Sequence, residues 1–90
     1  MERVNIKVFG AVHYVGFRFS TIEVARDLGL IGWVKNEPDS TVQIVAEGKK
    51  EQLENLVTWA KKGPSLAKVE KVDVEWSGAT GEFSSFDVSY

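Results

Sequence analysis

Apolar and polar residues alternate along the first dozen positions of the chain. Val4, Ile6, Val8 and Val12 interleave with Asn5, Lys7 and Ala11, the period of two that marks a strand with one buried face, predicted over Arg3 to Val12. The period then changes. Ser20 stands three residues before Glu23 with Phe19 and Val24 around it, the spacing of a capping box and its hydrophobic staple, so a helix is predicted over about residues 20–29. Its apolar positions are Val24, Ala25 and Leu28, and Gly29 supplies the stop.

Ile31 to Asn36 reads as a second strand, Glu37-Pro38-Asp39-Ser40 as a turn, and Thr41 to Glu47 as a third strand with Val42, Ile44 and Ala46 on one face. From Lys50 to Lys62 an apolar stripe of Leu53, Leu56, Val57 and Ala60 opposes charged positions and ends at Gly63-Pro64, which predicts a second helix. A fourth strand follows near Val69 to Trp76. Val69 is out of phase with Val72 and Val74, so a bulge or a late start is expected there. After a turn at Gly78 to Gly81, a fifth strand is predicted to point Phe86, Val88 and Tyr90 inward.

The order strand, helix, strand, strand, helix, strand, with one more strand at the end, predicts an α+β fold. It suits a ferredoxin-like two-layer sandwich, βαββαβ with an additional C-terminal strand, with two helices on one face of a mostly antiparallel sheet. Ninety residues fit one domain, residues 1–90. That plan hosts sensors, RNA binders and enzymes, so the site has to decide the function.

Composition removes several chemistries. There is no cysteine and only one histidine, which leaves no thiolate nucleophile, no cysteine-based zinc site and no histidine cluster. The formal net charge of -2 is small and lysines are scattered among acidic residues, so no basic stripe invites nucleic acid. No signal peptide and no membrane span are read, and a cytoplasmic protein is expected. The three tryptophans fall in strands or a helix, where packing explains them.

The chemistry concentrates in Gly10-Ala11-Val12-His13-Tyr14-Val15-Gly16-Phe17-Arg18, between the first strand and the first helix. Free amides of such a turn and the positive end of a helix can surround an anion, and an arginine beside them offers a planar fork to phosphate oxygens. The loop is not a Walker A motif, since Phe17-Arg18 follow Gly16. Arg18 near a helix start is unfavourably placed without an anionic partner. Asn36, taken alone, reads as a turn residue, and His13 as a packed or hydrogen-bonded histidine.

Val12-His13-Tyr14-Val15-Gly16-Phe17-Arg18, Gly32-Trp33-Val34-Lys35-Asn36, Glu47-Gly48 and Gly63-Pro64-Ser65-Leu66-Ala67-Lys68-Val69 together resemble the acylphosphatase family over essentially the whole chain. The resemblance implies an enzyme that hydrolyses acyl phosphates to a carboxylate and inorganic phosphate, with no cofactor and no metal. It assigns phosphate binding to Arg18 together with the loop His13, Tyr14, Val15, Gly16 and Phe17, and orientation of the attacking water to Asn36. The expected partners are a small acyl-phosphate substrate and inorganic phosphate, without nucleic acid or membrane, acting on a monomer. Three positions depart from the family pattern: His13 and Tyr14 stand where glutamine and glycine are usual, and Ser40 where glycine is usual. The His13-Tyr14 departure keeps open an alternative, a non-catalytic module of the same fold that binds phosphate or carbamoyl phosphate.

Overall fold

The computed structural model describes residues 1–90. The alternating amino-terminal segment forms β1 (Glu2–Ala11), an inner strand of the sheet, and places Val4, Ile6 and Val8 fully inside. It is followed by α1 (Phe17–Asp27), β2 (Ile31–Asn36), β3 (Val42–Gly48), α2 (Lys50–Ala60), β4 (Lys68–Gly78) and β5 (Phe86–Val88). The strand order is β4-β1-β3-β2-β5. β1 pairs antiparallel with β3 and β4, β2 antiparallel with β3, and β5 parallel with β2. This is the ferredoxin-like plan with its extra strand, and both helices cover one face of the sheet. The core joins Val4, Ile6, Val8, Val34, Val42, Ile44 and Ala46 of the sheet to Phe17, Ala25, Leu53, Leu56 and Ala60 of the helices.

The expected irregularity in β4 is present. Phe9 faces Lys71 but Gly10 faces Val69, so Glu70 is the extra residue of a bulge. Gly10 has φ 128°, and a Cβ there would lie 2.1 Å from the carbonyl oxygen of Lys68. Only glycine fits the crossing.

Two expectations are corrected. Helix α1 begins at Phe17, not near residue 20, and its N-cap is Gly16 at φ 76° with no side-chain cap. The Ser20–Glu23 box does not form, and Phe19 is exposed instead of stapling the start. Burial of Phe17 in contact with Trp59, ring centroids 5.3 Å apart, draws the helix start inward. The buried hydroxyl of Thr21 then donates to the Phe17 carbonyl at 2.7 Å. The second correction is Tyr90: Phe86 is buried as expected, but β5 ends at Val88 and Tyr90 lies 94% exposed.

Candidate active site

The loop between β1 and α1 is built from backbone more than from side chains. Tyr14 (φ 62°) and Gly16 (φ 76°) are both left-handed, with Val15 between them. Alternating hands along a short stretch is the geometry that turns successive N–H groups toward one side. None of the backbone N–H groups from His13 to Phe19 donates to another group of the chain. The first such bond after the loop runs from Ser20 N to the Gly16 carbonyl at 3.0 Å. The loop and the first turn of α1 therefore offer a series of free donors at the positive end of a helix dipole.

Arg18 and Asn36 line the same cavity, about 260 Å³ in volume. The half-buried Arg18 forms no ion pair within the chain. A cation at a helix start with no anion beside it is electrostatically uncompensated. Asn36 closes β2, and its Oδ1 is buried without a hydrogen-bond donor. Buried polar atoms in native proteins are nearly always satisfied, so an acceptor left free beside a free guanidinium marks a site for a hydrogen-bonding ligand.

The turn carrying Asn36 is tied down around it. Glu37 N donates to the Thr41 carbonyl at 2.9 Å, and the His13 ring nitrogen Nε2 donates to that same carbonyl at 2.8 Å. Asp39 accepts from the amide and the hydroxyl of Thr41 and pairs with Lys7 Nζ at 2.9 Å. The hydrogen bond from the Thr41 hydroxyl, then that from Lys7, holds the Asp39 carboxyl below its ordinary 3.8, at about 2. Ser40, at φ 70°, takes the left-handed conformation of this turn.

The comparison with known families decides the affiliation. The family model described as acylphosphatase matches residues 4–88. The chain belongs to the acylphosphatase family. A protein named acylphosphatase from Methylococcus capsulatus is 46% identical over 88 residues, 98% of this chain and 96% of that one. One of the same name from Thermococcus kodakarensis is 47% identical over 79 residues, 88% of this chain and 87% of that one. The crystal structure of acylphosphatase from Bacillus subtilis superposes with a TM-score of 0.96 at 36% identity, over the full length of both chains.

Of the residues that the acylphosphatase pattern singled out, Tyr14, Gly16, Phe17, Arg18 and Asn36 come together as lining of one cavity. His13 and Val15 do not line it. His13 is engaged with Thr41, and Val15 packs against the core. Sequence reading missed part of the wall, namely Phe19, Ile22, Val88 and Tyr90. The usable signal was the spacing of Arg18, Phe19 and Ile22, which share a face once the helix is started at Phe17.

Glu47 was read only as part of the acylphosphatase pattern, and the structure gives it a structural task. Fully buried on β3, it accepts from Thr80 N at 2.8 Å and Gly81 N at 3.1 Å, and Arg3 Nε lies 3.3 Å away. Burial pushes its carboxyl up, but the two amides, the Thr80 hydroxyl and Arg3 outweigh this and leave it below its ordinary value. Glu47 thereby holds the connection between β4 and β5.

Proposed function

We propose that the protein hydrolyses acyl phosphates, the reaction after which its relatives are named, at the cavity shared by Arg18 and Asn36. The observation that carries this reading is the pairing of an uncompensated guanidinium with an unsatisfied buried amide oxygen beside a run of free backbone amides. The loop amides and Arg18 hold the oxygens of the phosphoryl group and offset its charge as it transfers. The Asn36 side-chain amide hydrogen-bonds the attacking water and orients its oxygen toward phosphorus. A bond forms from the water oxygen to phosphorus, the phosphorus–oxygen bond to the acyl group breaks, and the carboxylate leaves with that electron pair. The water's proton passes to a phosphate oxygen. A carboxylate is a good leaving group, so no side-chain acid is required, which agrees with a cavity lining that contains no aspartate or glutamate.

The non-catalytic alternative rested on His13-Tyr14. Tyr14 keeps the left-handed conformation that glycine would supply, and His13 ties the loop to the turn after Asn36, so neither departure argues against turnover. The same reading takes acyl phosphate and inorganic phosphate as the ligands of a monomer acting in the cytoplasm without nucleic acid. Acidic and basic residues mixed on the uncovered sheet face, Lys7, Asp73 and Glu75 among them, support the last point. The test is phosphate release from acetyl phosphate with and without a chelator. Turnover that the chelator leaves unchanged is expected, and binding of phosphate without turnover would return the protein to the module reading.

A further inference from the structure

The cavity has a second half that phosphate chemistry does not use. Beside Arg18 it is walled by Tyr14, Phe19, Ile22, Val88 and Tyr90, and Arg18 is the only charged residue in its lining. Tyr14 is 99% exposed and Phe19 69% exposed, so their rings bury almost nothing within the fold. Tyr14 also sits at φ 62°, a conformation that costs a bulky residue free energy. Its ring meets only the edge of His13, with centroids 6.0 Å apart. Large apolar side chains that do nothing for the core, one of them in a strained backbone, beside an unsatisfied catalytic pair, point to a ligand surface.

Resting on the proposed acyl-phosphate hydrolysis, we infer that this wall receives the acyl group, and that Tyr14 and Phe19 make the enzyme selective for acyl phosphates with an apolar chain or ring. The volume of about 260 Å³ lies just under the roughly 300–1,000 Å³ of pockets for drug-sized ligands, which suits a short acyl chain. With Arg18 engaged by phosphate, an acyl group ending in a carboxylate finds no second cation in the lining. Contacts to the acyl chain lie away from the reacting phosphorus, and their binding energy shows in kcat/KM.

The experiment uses straight-chain alkanoyl phosphates from acetyl to hexanoyl, whose carboxylate leaving groups have nearly equal basicity, and adds adipoyl phosphate, in which a carboxylate replaces the terminal methyl of hexanoyl. The expected result is a kcat/KM that rises about twofold to fourfold per methylene as it is buried, and an adipoyl value about tenfold or more below hexanoyl, given the cost of placing a charge against an apolar wall. Phe19→Ser and Tyr14→Gly, both at exposed positions, should each flatten the rise, read as the ratio of hexanoyl to acetyl kcat/KM. The ratio cancels any effect of a variant on phosphate handling or loop strain that both substrates share. Steady turnover independent of chain length, or equal rates for hexanoyl and adipoyl phosphate, overturns the acyl-wall assignment and leaves the hydrolysis standing. Absence of phosphate release from every substrate overturns both.

Discussion

His13 Nε2 lies 2.8 Å from the carbonyl oxygen of Thr41, a bond that joins the loop before α1 to the turn after Asn36 across 28 residues of chain. It ties the loop proposed to cradle phosphate to the turn that follows Asn36, the residue proposed to orient water. His13→Ala should therefore lower kcat for acetyl phosphate by about twofold to tenfold, in line with the ~0.5–1.5 kcal/mol of one hydrogen bond, while His13→Gln, which keeps a donor, restores most of it. Steady-state kinetics of the two variants check this. Equal activity of both would assign His13 no positioning role.

Arg18 and Asn36 should separate kinetically. Arg18→Ala loses charge-assisted bonds of about 1.5–3 kcal/mol each, so kcat/KM falls by ~10²–10⁴ and inhibition by inorganic phosphate weakens. Arg18→Lys recovers little, because an ammonium lacks the planar fork. Asn36→Ala should lower kcat by roughly 10²–10³ with a much smaller change in phosphate affinity, as expected for a lost positioning contact. A rise in KM at unchanged kcat would move Asn36 from the transition state to ground-state binding.

Tyr14→Gly removes a non-glycine residue from the left-handed region at φ 62°. Relief of about 1–2 kcal/mol of strain exceeds the ~0.4–1 kcal/mol lost to the freer unfolded chain, so the variant should be modestly more stable to urea. Its kcat/KM for acetyl phosphate, too short to use the ring, should rise as the loop closes more readily on phosphate. Equilibrium unfolding and acetyl phosphate kinetics test the two halves independently.

The lowered Asp39 carboxyl makes a statement about acid. Its folded value of about 2 lies below its ordinary 3.8, so its contribution to stability is complete above about pH 4 and is lost as pH falls toward 2. Asp39→Asn should reduce the steepness of acid unfolding in that window while leaving the rest of the profile in place. Urea midpoints of both proteins measured between pH 2 and 5 would show parallel curves if the Thr41 and Lys7 contacts carry no such linkage.

Much of this was legible in the chain because burial here follows simple periods. The alternation in β1, the row Val42, Ile44, Ala46 in β3 and the stripe Leu53, Leu56, Val57, Ala60 in α2 name the faces turned into the core, although Val45 and Glu47 on the other face of β3 are buried as well. Helix α1 was harder to bound, since its buried row Phe17, Thr21, Ala25 is broken by a threonine whose hydroxyl is satisfied by its own helix. Tyr90 followed the alternation of β5 on paper, but a three-residue strand does not extend that rule to its flank. In the site, Gly16 and Arg18 were visible as residue types. The positive φ of Tyr14 and the free Oδ1 of Asn36 are properties of the folded backbone and its packing, which residue type alone does not encode. The same holds for Glu47, whose partners Thr80 and Gly81 arrive from more than thirty residues downstream.

The extra residue at Glu70 bears on how copies of this molecule behave in a crowded solution. β4 is eleven residues long and forms one outer edge of the sheet, so its outward backbone donors and acceptors are an open invitation to a neighbouring strand. The bulge interrupts the even spacing of those groups and adds twist. Lys68, Glu70, Lys71, Asp73 and Glu75 place charge along the same edge. A second edge approaching β4 would meet a broken register and hydrated charges, which disfavour a sixth strand on that side.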